Sequence, residues 1–345
     1  MKRTFRRVSG WTLALACLLL LVSCGRTDTA QHGKEYQVAV IQTMDHPGLN
    51  HVAEALEAAL SEQGEKLDAR FQVSFYNGMG DPEVLKTIGE AILEEEFDLV
   101  VPIGTDAAKA MKTVLRESDT PMVFCAVSDP VGAGLVKDLQ KTKTITGTVD
   151  APDVETMLEL ILALYPRCDH VGLLYSEKEA ASKQAIEQAE QWLDEQEIRY
   201  TEATDAEKDD TILDAADALI RARVDAVLTP TDNGVQLVEP ELVEKLNKAR
   251  IPHFGGADSF ALNGALIGYG ADYDALGKKT AEMIAQILTT EEATQLPPVE
   301  VFKSSRILLN TETAETLRLN LETVKTALKE FDIPVKETET FLAFP

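Results

Sequence analysis

The stretch VDAVLTPTDN (residues 224–233) is a short apolar run that ends in three polar residues. An earlier stretch, FDLVVPIGTD (97–106), has the same pattern. Each is followed by a helix-like segment and then by a strand-like segment that begins with proline, PMVFCAVSD (121–129) or PHFGGAD (252–258). Because two matching pairs occur in the same order, we interpret the chain as two similar lobes.

Apolar runs of strand length alternate with amphipathic, helix-like segments from residue 36 to about residue 290. The segment DPEVLKTIGEAILEEE is a typical helix start, with Asp81 as the N-cap and Pro82 at the first helical position. Such alternation predicts βαβ units and parallel sheets. The predicted fold class is therefore α/β, with two similar doubly wound parallel-sheet lobes.

The polar ends of the strands predict where a ligand binds. In open parallel sheets, ligands bind outside the carboxyl ends of the strands, where the following helices present free N–H groups and the positive end of their dipoles. Two lobes that face each other would form a cleft lined by these residues: Thr105, Asp106, Ser128, Asp129, Thr231, Asp232, Asn233 and Asp258. The alternative for each residue is that it only caps a helix or shapes a turn, as Asp129 before Pro130 could.

The N-terminus has the features of an export signal. Residues 1–23 combine four early cations with the apolar stretch WTLALACLLLLV, which is typical of a secretory signal peptide. The sequence LVSC (21–24) is similar to a bacterial lipobox, which predicts lipid attachment to Cys24 and a polar tether over residues 24–35. A plain signal with an incidental cysteine is the alternative. Arg6 and Arg7 also suggest twin-arginine export, but their surroundings fit it poorly, so we predict Sec-type export and anchoring outside the cytoplasm.

Charge and cysteine content restrict the partners. The 345-residue chain has 58 acidic and 33 basic residues and a formal net charge of −25, which disfavours binding to nucleic acid. Beyond Cys24, the mature chain has Cys125 in an apolar strand and Cys168 in a turn. They fall in different predicted lobes, so we expect them to be unpaired.

No enzymatic or metal-binding motif stands out. The chain contains neither G-x-S-x-G nor H-E-x-x-H, and the glycines around residues 270–277 have the wrong spacing for a phosphate loop. His46 and His51 are poorly spaced for a metal pair. We therefore expect no enzymatic activity, no cofactor and no metal. An extracellular hydrolase stays an alternative that would need an activated nucleophile.

Several motifs together resemble a known family. They are QTMDHP (42–47), AVSDPVGAGLV (126–136), PTDN (230–233) and GALIGYGADYDALGKKTA (264–281). With the lipobox, they are similar to ABC-transporter substrate-binding lipoproteins of the tryptophan/tyrosine-type branch, over roughly residues 36–318. The resemblance implies a periplasmic-binding-protein-like fold, a monomer, capture of a small solute, and delivery to a membrane permease that has a cytoplasmic ATPase. The residues that match the family's pocket segments are Gln42, His46, Thr105, Ser128, Asp129, Thr231, Asp232, Asn233 and Asp258.

The resemblance also implies a hinge of three segments. Carried onto this chain, the crossings fall near 147–151, 268–272 and 296–299. Lobe 1 then contains residues 36–148 and 270–296, and lobe 2 contains residues 149–269 and 297–345. Asp106 stands where relatives often have a neutral residue, and residues 319–345 extend past the usual end of the family.

The predicted rim favours an amino acid as the ligand. Acids and hydroxyls dominate it, without an evident arginine clamp. An ammonium group would pair with Asp232 or Asp258, and a carboxylate would bind threonine and serine hydroxyls and helix-terminal N–H groups. Three aromatic residues could flank an apolar side chain: Phe260, Tyr269 and Tyr273. A zwitterionic, aromatic amino acid is the leading hypothesis; a sugar or nucleoside binder, or a ligand-sensing module for a membrane receptor, is the alternative.

Overall fold

The computed structural model describes residues 33–45, 47–141, 143–206, 211–290, 296–303 and 306–340. The strands are β1 (Glu35–Gln42), β2 (Arg70–Asn77), β3 (Leu99–Ile103), β4 (Met122–Phe124), β5 (Ile145–Ala151), β6 (His170–Tyr175), β7 (Arg199–Thr204), β8 (Ala226–Thr229), β9 (His253–Gly255), β10 (Ile267–Gly270), β11 (Glu300–Lys303), β12 (Arg306–Asn310) and β13 (Val335–Thr338). The helices are α1 (Pro47–Leu67), α2 (Pro82–Glu94), α3 (Thr105–Val114), α4 (Val154–Leu164), α5 (Ala180–Glu195), α6 (Ile212–Ala222), α7 (Asn233–Leu237), α8 (Glu239–Ala249), α9 (Asp258–Leu262), α10 (Tyr273–Thr289), α11 (Thr311–Thr316) and α12 (Leu321–Leu328). None of the helices in these ranges is long and apolar enough to span a membrane.

The strands form two sheets, one in each lobe. The first has the order β11-β5-β4-β3-β1-β2, and the second has the order β13-β12-β10-β9-β8-β6-β7. Counted within each lobe, the first five strands follow the same doubly wound order, 2-1-3-4-5. β3 and β8 occupy equivalent places, as do β4 and β9, so the repeated sequence pattern marks equivalent strands. The predicted fold class is confirmed, with one antiparallel pair, β10 and β12.

Local sequence signals explain the principal helix ends. Asp81 accepts a hydrogen bond from the Glu83 N–H and Pro82 opens α2, as predicted. Thr211 and Asp214 form a reciprocal capping box at the start of α6. Helix α10 packs closely against α1 in lobe 1. At Gly277, an added Cβ would lie 2.9 Å from the Leu56 backbone nitrogen, so this close approach requires glycine.

The pairing of strands moves two predicted lobe boundaries. All of β5 pairs within the first sheet, so the chain leaves lobe 1 after Ala151 rather than after residue 148. The second crossing lies between β10 and α10, within the predicted range. The third was predicted near 296–299, with residue 297 onward in lobe 2. That boundary is wrong, because β11 pairs with β5 and the chain crosses only between Lys303 and Arg306.

The C-terminal extension completes lobe 2. β13 pairs in parallel with β12, and α12 packs against α4. Half-buried Phe331, Ile333 and Val335 contact the core of this lobe. The segment beyond the usual family end is therefore a structural cover for one sheet edge. Residues 341–345 lie outside the described ranges.

Both cysteines of the described chain are free and buried, Cys125 in lobe 1 and Cys168 in lobe 2. Trp192 packs against the lobe 2 core, as its position in an amphipathic helix suggests.

Candidate functional site

The cleft between the lobes lies at the carboxyl ends of the strands. Its described lining is Leu49, Thr105, Ala126, Ser128, Asp150, Glu179, Thr231, Asn233 and Tyr273. Four residues predicted from the sequence belong to it: Thr105, Ser128, Thr231 and Asn233. Residues from lobe 1 and lobe 2 therefore face the same space.

Asp150 brings a carboxylate to the lobe 1 side of the cleft. It is the second-last residue of β5 and only 5% exposed, and it accepts a hydrogen bond from the Ser128 hydroxyl at 3.0 Å. Burial raises the pKa of Asp150 to about 7, and none of the interactions that shift it comes from a cation among the described residues. This carboxylate is desolvated without a counter-charge.

Glu179 brings a second carboxylate from lobe 2. It occupies the N-cap position of α5, but its side chain does not cap the helix. Instead it accepts hydrogen bonds from the Asn233 amide at 3.3 and 3.2 Å. Burial raises the pKa of Glu179 to about 8, with further increases from the charges of Asp232 and Asp106 and a smaller decrease from Lys109. Asp106 and Lys109 belong to α3 of lobe 1, so Glu179 faces across the cleft.

Hydroxyl and apolar groups surround the two carboxylates. Thr105 begins α3, and the Thr231 hydroxyl donates to the Gly256 carbonyl at 3.0 Å while its oxygen can still accept. Tyr273 is 3% exposed, and burial raises its pKa well above its usual value. Leu49 and Ala126 add apolar surface. The arrangement can bind a small ligand that has a cationic group, hydrogen-bonding groups and an apolar part.

Asp232, predicted as the partner of a ligand ammonium, does not line the cleft. Its side chain is fully buried at the N-cap of α7. One carboxylate oxygen accepts from the Val235 N–H at 2.9 Å, and the other accepts from the Ser176 N–H at 2.9 Å and the Ser182 hydroxyl at 2.6 Å. The prediction is corrected because both oxygens are already occupied within lobe 2.

Asp258, the other predicted ammonium partner, is paired within the protein. Its carboxylate forms an ion pair with the Arg306 guanidinium, which also contacts Asp272 at 3.2 Å. Arg306 begins β12 at the third crossing, and Asp272 caps α10 at the second. Asp258 therefore belongs to a cluster at the hinge and not to the cleft lining.

The other predicted residues have separate placements. The Gln42 amide donates to the Met44 carbonyl and to Asn50, which makes it a structural group at the end of β1. Asp129 accepts from the Gly132 N–H at 2.8 Å and shapes the turn after Pro130, beside a second interlobe hollow. His46 lies outside the described residues.

Of the three candidate aromatic residues, Tyr273 lines the cleft. Phe260 is wholly buried in the core, and the Tyr269 hydroxyl points to Asp153 at 3.4 Å.

The family model described as ABC transporter substrate binding protein matches residues 37–329. The chain belongs to this family. The match covers both lobes, all three crossings and α12 of the C-terminal cover, and it ends before β13.

Individual relatives of this ABC transporter substrate binding protein have aromatic ligands in their names. A tyrosine-binding protein of Clostridioides difficile (strain R20291) is 26% identical over 299 residues, covering 85% of this chain and 84% of its own. The crystal structure of an ABC domain in complex with L-Trp from Streptococcus pneumonia is 28% identical, with a TM-score of 0.78, and covers 88% of this chain and 100% of its own.

A third relative was solved in a different state. It is a ligand-free, open structure of a substrate binding protein with adhesive properties from Clostridium difficile, 26% identical, covering 89% of this chain and 100% of its own. Its TM-score is 0.66, lower than the 0.78 for the L-Trp complex at similar identity and coverage. The present chain thus superposes better on the L-Trp complex than on the ligand-free, open structure.

The sequence reasoning missed Asp150, Glu179, Leu49 and Ala126. The rule about strand ends was applied only to the repeated strands β3, β4, β8 and β9. Applied to β5 and β6, the same rule would have indicated Asp150 and the loop that holds Glu179.

Proposed function

We propose that this ABC transporter substrate binding protein captures an amino acid with an aromatic side chain outside the cytoplasm and delivers it, as a monomer, to a membrane permease with a cytoplasmic ATPase. The observation that carries this proposal is the pair of buried carboxylates, Asp150 and Glu179, which face one cleft from opposite lobes and whose burial the cations among the described residues do not offset. No catalytic role is proposed for them.

An α-ammonium group would supply the positive charge that these two carboxylates lack on burial. Charge-assisted hydrogen bonds to Asp150 and Glu179 would replace the water that each loses on burial. The ligand's carboxylate would bind the hydroxyl of Thr105 and the N-terminus of α3, while the Thr231 hydroxyl, which donates to Gly256, could accept from the ammonium group. Tyr273 and Leu49 would contact its side chain. The relatives named for tyrosine and bound to L-Trp support an aromatic side chain.

Calorimetric titration of unfolded and refolded protein tests this proposal. We expect L-tyrosine or L-tryptophan to bind, and the N-acetyl derivative of the same amino acid, which lacks the ammonium group, to bind at least about 30-fold more weakly, because lost buried charge pairs typically cost about 2–5 kcal/mol. Equal affinity for the N-acetyl derivative would remove the ammonium site. Binding of a simple sugar or nucleoside without any amino acid would overturn the ligand class.

The membrane part of the proposal rests on the sequence LVSC, whose Cys24 lies outside the described residues. We propose that the signal peptide is removed and that lipid on Cys24 anchors the protein. Cys24→Ala should then move the protein from the detergent phase to the aqueous phase without changing ligand affinity. If both forms partition alike, the anchor is absent.

A further inference from the structure

We propose that Asp150 and Glu179 also act as a gate that keeps the lobes apart until a cationic group enters the cleft. This inference rests on the proposed function, because it assigns the gate to the same two carboxylates. In the arrangement described here, Asp150 is 5% exposed and Glu179 is 9% exposed. Glu179 approaches α3 of the opposite lobe, so separation of the lobes would return it to water.

Closing the empty cleft is unfavourable when both groups are ionised. An isolated carboxylate loses hydration on burial, and only a counter-charge or several donors offset that loss. The pKa of Asp150 rises from 3.8 to about 7, and that of Glu179 from 4.5 to about 8. Burial of each carboxylate in its ionised form therefore disfavours the closed state.

Among the described residues, the groups around the two carboxylates do not neutralise these charges. Glu179 is near the acids Asp232 and Asp106, and among its charged neighbours Lys109 alone acts in the opposite direction, by less than burial. On the other lobe, Asp150 has the Ser128 hydroxyl as its donor.

Two further titratable groups, Tyr273 on α10 and Cys125 beyond the end of β4, lie close enough to Asp150 for its charge to raise their pKa values. Both groups are neutral at pH 7, so neither supplies a counter-charge.

A ligand ammonium removes the obstacle, and so does a proton. Burial raises both pKa values in the arrangement described here, and opening of the cleft would return them toward their usual values. Closure of the ligand-free protein is therefore most favourable below the open-state pKa values, near pH 4, and becomes less favourable as pH rises toward the closed-state values, about 7 and about 8. Above that range the empty protein stays open, and closure reports a bound cation.

Fluorescence energy transfer between the lobes tests the gate in ligand-free protein. Dyes attached at Lys86→Cys on α2 and Glu187→Cys on α5 occupy exposed positions, while Cys125 and Cys168 are buried. The measurement uses the mature protein with Cys24→Ala, unfolded and refolded to remove ligand. The variants are Asp150→Asn, Glu179→Gln and both together. Glu90→Gln, an exposed residue on α2, is the matched control.

At pH 8 we expect wild type and the Glu90→Gln control to be open. Asp150→Asn and Glu179→Gln should each raise the closed-to-open ratio at least tenfold, and the double variant should raise it further. Lowering the pH from 8 to 5 should close the wild type and leave the double variant unchanged. Identical distributions for all proteins at all pH values would overturn the gate. These measurements use no ligand, so absence of any amino acid binding would defeat the proposed function separately.

Discussion

Two pairs of buried acids differ in the groups that surround them: Asp232 and Asp258 form one pair, and Asp150 and Glu179 form the other. Asp232 is enclosed by donors from Ser176, Ser182 and Val235. Asp258 is paired through one oxygen with the Arg306 cation, and its other oxygen has no hydrogen-bond partner among the described residues. Asp150 and Glu179 have few donors and face the cleft. All four have raised pKa values with burial as the largest cause.

The difference shows that burial of an acid does not by itself indicate a binding site. A carboxylate that is paired with donors or with a cation of the protein contributes to the fold, and its removal should lower stability. A carboxylate that is desolvated at the cleft with few donors is available to a ligand, and its removal should lower affinity instead. The two kinds of acid are therefore distinguished by which quantity a substitution changes.

The largest expected effect is on the hinge cluster. Arg306→Ala leaves Asp258 buried without its counter-charge, and breaking a buried pair in this way typically costs about 3–5 kcal/mol. Urea denaturation of the ligand-free protein measures the loss. Arg199→Ala is the control, because its ion pair with Asp169 is exposed and should contribute at most about 1 kcal/mol. A loss for Arg306→Ala no larger than that of the control would show that Asp258 needs no partner.

Glu179→Gln should lower ligand affinity and leave stability unchanged or slightly higher, in contrast to Arg306→Ala, which should lower stability. We expect amino acid affinity to fall at least about 30-fold, as for other buried charge pairs, because the ligand ammonium loses one of its two carboxylates. The free energy of unfolding without ligand should stay the same or rise slightly, since an uncompensated acid is removed. Calorimetry and urea denaturation measure the two quantities. An unchanged Kd together with lower stability would place Glu179 among the structural acids.

Asp232→Asn should lower stability by about 1–3 kcal/mol, because the asparagine amide provides one acceptor oxygen for donors that now use two. Its ligand affinity should change less than about threefold. The hypothesis drawn from the sequence, in which Asp232 pairs with the ligand, requires weaker binding at unchanged stability. Urea denaturation and ligand titration of this one variant therefore distinguish a structural role for Asp232 from a ligand-pairing role.

The sequence was sufficient for the fold and only partly for the site. The alternating pattern and the repeat identified the equivalent strands, and strand ends located the cleft, because both depend on local periodicity and sheet topology. The direction of a side chain at a strand end does not depend on local periodicity or sheet topology, so the sequence does not predict it. Asp232 turns inward to Ser176 while its neighbours Thr231 and Asn233 face the cleft, and nothing in PTDN distinguishes them.

Pairing between residues far apart in the chain also could not be predicted from the sequence. Arg306 meets Asp258 across 48 positions, at a crossing that the sequence placed in the wrong segment. The short edge strand β11 caused that error, because its alternating EVFK pattern is too brief to distinguish from a connector.

The smallest expected effect concerns Glu239, which stands between the two kinds of acid. One of its oxygens accepts from or shares a proton with the His253 ring at 2.8 Å, and the other has no partner among the described residues. Burial raises its pKa, while His253 lowers it.

A carboxyl whose pKa is higher in the folded state contributes most to stability below its unfolded value, near 4.5, and that contribution is lost as pH rises. Glu239→Gln keeps a group that can bond to His253 but cannot ionise. Near pH 4.5 its unfolding free energy should therefore lie within about 1 kcal/mol of wild type, the net worth of one hydrogen bond. At pH 8 the unfolding free energy of the variant should be higher relative to wild type than it is near pH 4.5. Urea denaturation at both pH values measures this difference. If the unfolding free energy of the variant instead falls relative to wild type as pH rises, the His253 pair outweighs the cost of burial. Glu239 would then belong with Asp232 and Asp258.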